Sequence, residues 1–299
     1  MGVMPPEKLV IIDYCGTLSL EAPRFGRPEN LLRALEQSGL AALGISTPET
    51  FWKNIVDPTW VKGSTTAIGY AQVMAERIAS LCLAPDAPTS EIEAATSRFV
   101  AMYLAASRID PHWQPILARL SEHPTVITVV ATDHYAEATG KITGYLDSWG
   151  IPAWKIWRGE ESSSPPESGE TFAQLQKRIP DSQRSPRFFV ANSADLRVWK
   201  ENRRFWEILK SQLPLESVRR IFLIDDFGFN EAPGDSYGER AKVLARQAKT
   251  VANLRETFQA EVEVDPFALP GEDRGCEEAD AGLIAETTAR IEAFLERRS

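Results

Sequence analysis

The sequence predicts an α/β protein: a doubly wound parallel sheet with an α-helical domain inserted after the first strand. Three observations predict it. Short apolar, β-branched runs recur at long intervals, helical patterns fill several of the gaps, and the long stretch between the first two runs is helical in period with no strand run in it. Parallel sheets place ligands at the carboxyl ends of their strands, so the polar residues that follow each run are the candidate site.

The first run is Leu9–Ile12, and "VIIDYCGTL" (Val10–Leu18) reads as a buried strand delivering Asp13 into a glycine-bearing turn. Helical patterns follow at Pro28–Ala42, Pro48–Val56, Thr66–Leu83, Ser90–Ala106 and Trp113–Leu120. A crossover needs only about a dozen residues, so this segment is expected to be a cap folded over the site. It spans 26–120, is hinged near 19–25 and 121–125, and leaves 1–25 and 121–299 as the core. The bland alternative is an insert that packs alongside.

The second run, Val126–Ala131, ends at Thr132, and a helix is expected over Ala136–Trp149. Arg158–Arg187 contains "EESSSPPESGE" and reads as a surface loop carrying one helix at Phe172–Arg178. The runs Phe188–Ala191 and Ile221–Ile224 lead to Ser193 and Asp225, with a helix between them over Asn202–Leu213. Glu278–Arg297 is an amphipathic helix expected to dock on the core. Asp13, Thr132, Ser193 and Asp225 should therefore converge on one edge of the sheet.

Composition bounds the function. At 299 residues and 43% hydrophobic content the chain can bury a sizeable core. Its 33 basic and 42 acidic residues give a net charge of −9, which argues against a nucleic-acid or anionic-membrane partner. Cys15, Cys82 and Cys276 are too few and too scattered for a disulfide framework or paired zinc ligands. The apolar runs are too short to span a bilayer, and "MGVMPPEKLV" lacks a leader's pattern, so a cytoplasmic protein is expected.

Four segments carry chemistry in order: "DYCGT" (Asp13–Thr17), "VITVVAT" ending at Thr132, "ANSADLRVWKENRRFWEILK" with Lys200, and "IFLIDDFGFNE" with Asp225, Asp226 and Glu231. Together they resemble the haloacid dehalogenase (HAD) superfamily over about Lys8–Leu18 and Thr125–Ala260. The insert resembles it only in position and helical character. The resemblance implies a hydrolase with Asp13, Thr132 and Lys200 as catalytic residues. It also implies Mg²⁺ held by Asp13, Asp225, Asp226 and the backbone carbonyl of Cys15. Physical reasons support this. An aspartate attacks phosphorus only where the phosphoryl charge is neutralised, and Mg²⁺ favours oxygen-rich sites with a few carboxylates.

Cys15 departs from the motif, where phosphatases of the family carry a second aspartate as acid and base. A thiol of pKa about 8.5 is a poor replacement, and loss of general acid–base catalysis typically costs ~10²–10⁴-fold. Cys15 reads more readily as a small buried side chain filling space below the site than as a chemical group.

The expected activity is a phosphohydrolase acting on a small phosphorylated molecule, as a monomer or homodimer. Carbon–halogen hydrolysis and a HAD-fold binding protein are the alternatives. Asp225 and Asp226 speak against the first, and Cys15 supports the second. Lys53 lies in the insert as a Schiff-base candidate, but "ETFWKNIV" lacks the pattern phosphonoacetaldehyde hydrolysis would need. His112, His123 and His134 lack ligand spacing; His134, two residues after Thr132, reads mainly as a surface helix-start residue, with a substitute acid/base approaching the site as the alternative. Trp52, Trp60 and Trp113 are expected either to line an apolar pocket or to be insert core.

Overall fold

In the computed structural model, residues 5–158, 186–231, 235–269 and 277–297 are described. The expected Phe172–Arg178 helix, most of the Arg158–Arg187 loop, and Cys276 lie outside them.

Six parallel strands form one sheet: β1 (Lys8–Ile12), β2 (Val126–Thr132), β3 (Trp154–Ile156), β4 (Phe188–Asn192), β5 (Arg220–Asp225) and β6 (Glu261–Pro266). Their order is β3-β4-β2-β1-β5-β6. β1 is central because its five residues are all buried and can pack on both faces. Its register pairs Ile12 with Val130 on one side and Ile224 on the other.

β3 and β6 were not expected from the sequence, and both are edge strands. β3 has only three residues. β6 alternates glutamate and valine in "EVEVDP", so it contributes one face to the core and reads as polar overall.

Alternate residues of each inner strand enter opposite apolar layers. Val10, Ile12, Val130 and Ile224 face α7 (Gln114–Glu122), α8 (Glu137–Ser148) and α12 (Glu277–Glu296). Leu9, Ile11, Val129 and Leu223 face α10 (Arg203–Gln212) and α11 (Arg240–Phe258). Each large side chain buried this way contributes roughly 1.5–3 kcal/mol. The terminal helix α12 is anchored by buried Lys8, whose Nζ donates to the carbonyls of Leu295 and Arg297, both at 2.6 Å. A cation there suits the negative end of the helix.

The insert holds α1 (Glu21–Phe25), α2 (Pro28–Ser38), α3 (Pro48–Phe51), α4 (Asp57–Ser64), α5 (Tyr70–Leu81) and α6 (Thr89–Ala106). The start of α3 is capped by Thr47, which accepts from Thr50 N. A π-helical turn, Trp52–Val56, joins α3 to α4 and makes a longer helical run than the expected Pro48–Val56. Among the described residues the insert contains no strand of the sheet.

Its own apolar cluster runs from Leu31 to Leu104 and includes Tyr135 from the loop before α8. Trp113, Ile116, Leu117 and Leu120 pack instead with the layer beneath β1 and β2. Trp113 is thus neither pocket wall nor insert core. It is fully buried, and its Nε1 donates to Thr17 O at 3.1 Å.

The two ends of the insert meet where Asp110 N donates to Leu18 O at 2.9 Å. Residues 121–125, expected to form a hinge, are the end of α7 and its link to β2 at the opposite edge of the sheet. Hydrogen bonds to Ser193, Trp199 and Glu137 help hold the insert onto the strand ends. Ser193 Oγ donates to Ser64 O at 2.6 Å, Trp199 Nε1 to Ser64 Oγ at 2.8 Å, and Tyr70 N to Glu137 Oε1 at 2.7 Å.

Candidate active site

Asp13 and Asp225 leave the ends of adjacent strands and meet the ammonium of Lys200. Lys200 Nζ donates to Asp225 Oδ2 at 2.8 Å and, in a shorter contact, to Asp13 Oδ1. All three side chains are buried. The lysine arrives from the segment between α9 (Ser193–Leu196) and α10, where Arg197 adopts a left-handed conformation and Asn202 caps α10. Its backbone is fixed at both ends: Lys200 N donates to Asp133 Oδ1 at 2.9 Å, and Trp206 Nε1 donates to Lys200 O at 2.7 Å.

Burial alone would lower the lysine's pKa, but Asp13 and Asp225 hold it well above its ordinary value. Burial raises Asp13 well above the carboxylate range against the pull of Lys200, and the charges of Asp225 and Asp226 add to the rise.

Asp226 is positioned by the turn after β1. Gly16 has φ +79°, a conformation glycine adopts without strain, and a Cβ there would lie 2.3 Å from Asp226 Oδ2. Thr17 Oγ1 accepts from Asp226 N at 3.2 Å. The Asp226 carboxylate accepts from Gly228 N at 3.0 Å and Asn230 N at 2.9 Å. Asn230 Nδ2 in turn donates to Gly16 O at 2.7 Å and Phe267 O at 2.8 Å, tying both turns together. Burial and the charge of Asp225 push Asp226 up to about 7.

Oxygens of Asp13, Asp225 and Asp226 lie within 4.8 Å of one another. With all three ionised and Lys200 protonated, the cluster carries a net charge of −2. Its all-oxygen donor set and its charge both fit a magnesium ion.

These residues floor a cavity of about 360 Å³, in the size range of small-molecule sites. Thr132 also lines it. Ser193 reaches the same sheet edge but turns away from the cavity. Its hydroxyl accepts from His134 N at 3.1 Å and donates to the insert. Lys53 is exposed and outside the lining.

Cys15 lines the cavity, and its Sγ donates to Glu231 Oε1 at 3.4 Å. Burial pushes the thiol well above its ordinary value, helped by the carboxylates of Glu231, Asp226 and Asp13. Burial likewise raises Glu231, with Asp235 and Asp226 adding to it.

His134 is not a surface residue. It is 3% exposed, lines the cavity and pairs through Nε2 with Tyr103 OH at 2.8 Å. Burial lowers its pKa to about 4 against a backbone hydrogen bond at Tyr135 that raises it, so it is neutral near pH 7.

Sequence reasoning also missed Asp133, Asn230 and Tyr103. Asp133 could have been weighed as the polar residue directly after Thr132. Nothing local marks Asn230 or Tyr103, because their partners are remote in the chain.

No family model matches the chain, and no curated protein does. Among solved structures it is similar to a 2-haloacid dehalogenase from Pseudomonas syringae pv. Tomato, at 17% identity and a TM-score of 0.41, over 78% of this chain and 84% of that one. It is also similar to a predicted HAD-like family hydrolase from Porphyromonas gingivalis, at 12% identity and a TM-score of 0.42, over 99% of this chain and 100% of that one. The likeness is one of fold. No helix of the described residues is long and apolar enough to cross a membrane.

Proposed function

We propose that this protein is a Mg²⁺-dependent phosphohydrolase of the HAD type, acting on a small phosphorylated molecule through an aspartyl phosphate at Asp13. The observation that carries this reading is the buried group of Asp13, Asp225 and Asp226 around Lys200 on the floor of a cavity lined in part by the insert. Asp13 Oδ1 is held by Lys200, which leaves Oδ2 to attack phosphorus. Attack forms the Oδ2–P bond as the ester P–O bond breaks, and water later returns Asp13 to the carboxylate. The hydroxyl of Thr132 is available to a phosphoryl oxygen.

Asp13, Asp225, Asp226 and the Cys15 carbonyl would hold Mg²⁺, which when bound supplies neutralisation of phosphoryl charge. The insert, about residues 20–107 by its packing and by the Leu18–Asp110 bond, serves as the cap that excludes water. Carbon–halogen hydrolysis fits less well, because three clustered carboxylates repel an anionic haloacid.

Beryllium fluoride mimics the phosphoryl group and tests the reading directly. With Mg²⁺, fluorine NMR of the wild type should show a bound resonance that Asp13→Asn lacks, alongside Asp13-dependent phosphate release. A wild type that matches Asp13→Asn in both measurements would replace this reading with that of a binding protein.

A further inference from the structure

The cavity is chemically divided. Its floor is the carboxylate and lysine cluster, while much of its wall comes from the insert as Phe25, Phe51, Trp52, Trp60, Phe99 and Tyr103. These rings pack on one another and on neighbouring aromatics rather than on the floor. Phe25 meets Phe99 and Tyr103 at centroid distances of 5.6 and 5.5 Å, Phe51 meets Phe99 at 5.0 Å, and Trp60 meets Tyr135 at 5.3 Å. Ring surfaces held this way favour another ring, edge-on or offset, over a polyol. The hydroxyl of Tyr103 is already engaged with His134.

Acidic side chains outnumber basic ones in the lining, so a second phosphoryl or carboxylate group on the ligand would be repelled. Arg246, one of the few cations there, is committed: it donates to Phe227 O and Tyr237 O, and its guanidinium stacks 3.4 Å from the Tyr237 ring centroid. Residue 15 supplies no carboxyl group to protonate a leaving oxygen, and its thiol donates to Glu231. A leaving group that departs without much protonation suits such a floor. A phenol, with a pKa near 10, is one.

We infer, building on the phosphohydrolase reading, that the ligand is an aryl phosphate: the phosphate monoester of a phenol-type hydroxyl, its ring against the aromatic wall and its phosphoryl group at Asp13. In turnover the Asp13 Oδ2–P bond forms while the aryl O–P bond breaks, and its electron pair leaves with the phenolate oxygen, which takes a proton from water. A second water then adds its oxygen to phosphorus, releasing inorganic phosphate and the Asp13 carboxylate. No oxidant or reductant is needed.

Binding separates this inference from the reading beneath it. Calorimetry on the full-length wild type with Mg²⁺ should give phenylphosphonate at least tenfold tighter affinity than methylphosphonate. Trp60→Ala or Trp52→Ala should narrow that ratio by weakening phenylphosphonate more than methylphosphonate. The wild-type comparison decides: equal affinities, or binding of neither, overturn the aryl inference whatever the variants do.

In parallel, kcat/KM for phenyl phosphate should exceed that for glycerol phosphate at least tenfold. Equal values overturn the inference while leaving the phosphohydrolase reading intact. Selective phenylphosphonate binding with no Asp13-dependent turnover would do the reverse, supporting an aryl-phosphate site on a protein that is not a phosphohydrolase.

Discussion

Cys15 and Glu231, 216 residues apart in sequence, meet at 3.4 Å, with the thiol donating to a glutamate oxygen on the cavity wall. An aspartate at position 15 would therefore face a buried carboxylate as well as the acidic floor. Cys15→Asp should lose about 1–3 kcal/mol of stability, whereas Cys15→Asp combined with Glu231→Gln should recover most of it. If position 15 is where acid–base catalysis is missing, Asp13-dependent phosphate release should rise in the double variant above wild type. Urea denaturation and phosphate-release assays on the four proteins of the cycle check both expectations.

Gly16→Ala should damage the floor without replacing any of its charged residues. The positive φ alone costs an L-residue roughly 1–2 kcal/mol, and the new Cβ would displace the Asp226 carboxylate. The expected outcome is a lowered melting temperature together with a weakened response to Mg²⁺, read by thermal denaturation with and without the ion.

Lys200→Met removes the ammonium shared by Asp13 and Asp225. Breaking a buried ion pair from one side costs about 3–5 kcal/mol, and millimolar Mg²⁺ should return part of that by taking over the charge balance. Denaturation curves in Mg²⁺ and in chelator measure the difference. A loss of equal size in both would argue against the ion's seat among these carboxylates.

His134 should make the fold acid-sensitive. Its folded pKa of about 4 lies below the ordinary 6.5, so above pH 6.5 it is neutral folded or unfolded and contributes no pH dependence. As pH falls from 6.5 towards 4, the unfolded chain takes up a proton that the folded protein refuses, and stability drops by about 3 kcal/mol at pH 4. His134→Gln should lack this component. Stability differences between pH 7 and pH 4.5 that are the same for both proteins would contradict the assignment.

The sequence by itself determined the inner strands and the residues that leave them. Leu9–Ile12, Val126–Ala131, Phe188–Ala191 and Ile221–Ile224 are buried on both faces, so their composition is uniform enough to read without knowing their neighbours. Asp13, Thr132 and Asp225 follow because a parallel sheet brings its carboxyl ends to one edge. The edge strands β3 and β6 were not legible, since a strand paired on one side needs only half an apolar pattern.

Tertiary structure decided the rest. Trp113 lies in a helical stretch like those of the insert, yet the chain returns at Asp110 and buries it under the sheet. His134 looks like a residue opening a surface helix, and only the insert folded over it makes it a buried, neutral group paired with Tyr103. The partner of Cys15 was equally hidden. Whether its thiol meets solvent, apolar packing or Glu231 depends on where the turn after β5 is placed, and hydrogen bonds from Asn230 to Gly16 and Phe267 place it through contacts that no local pattern encodes.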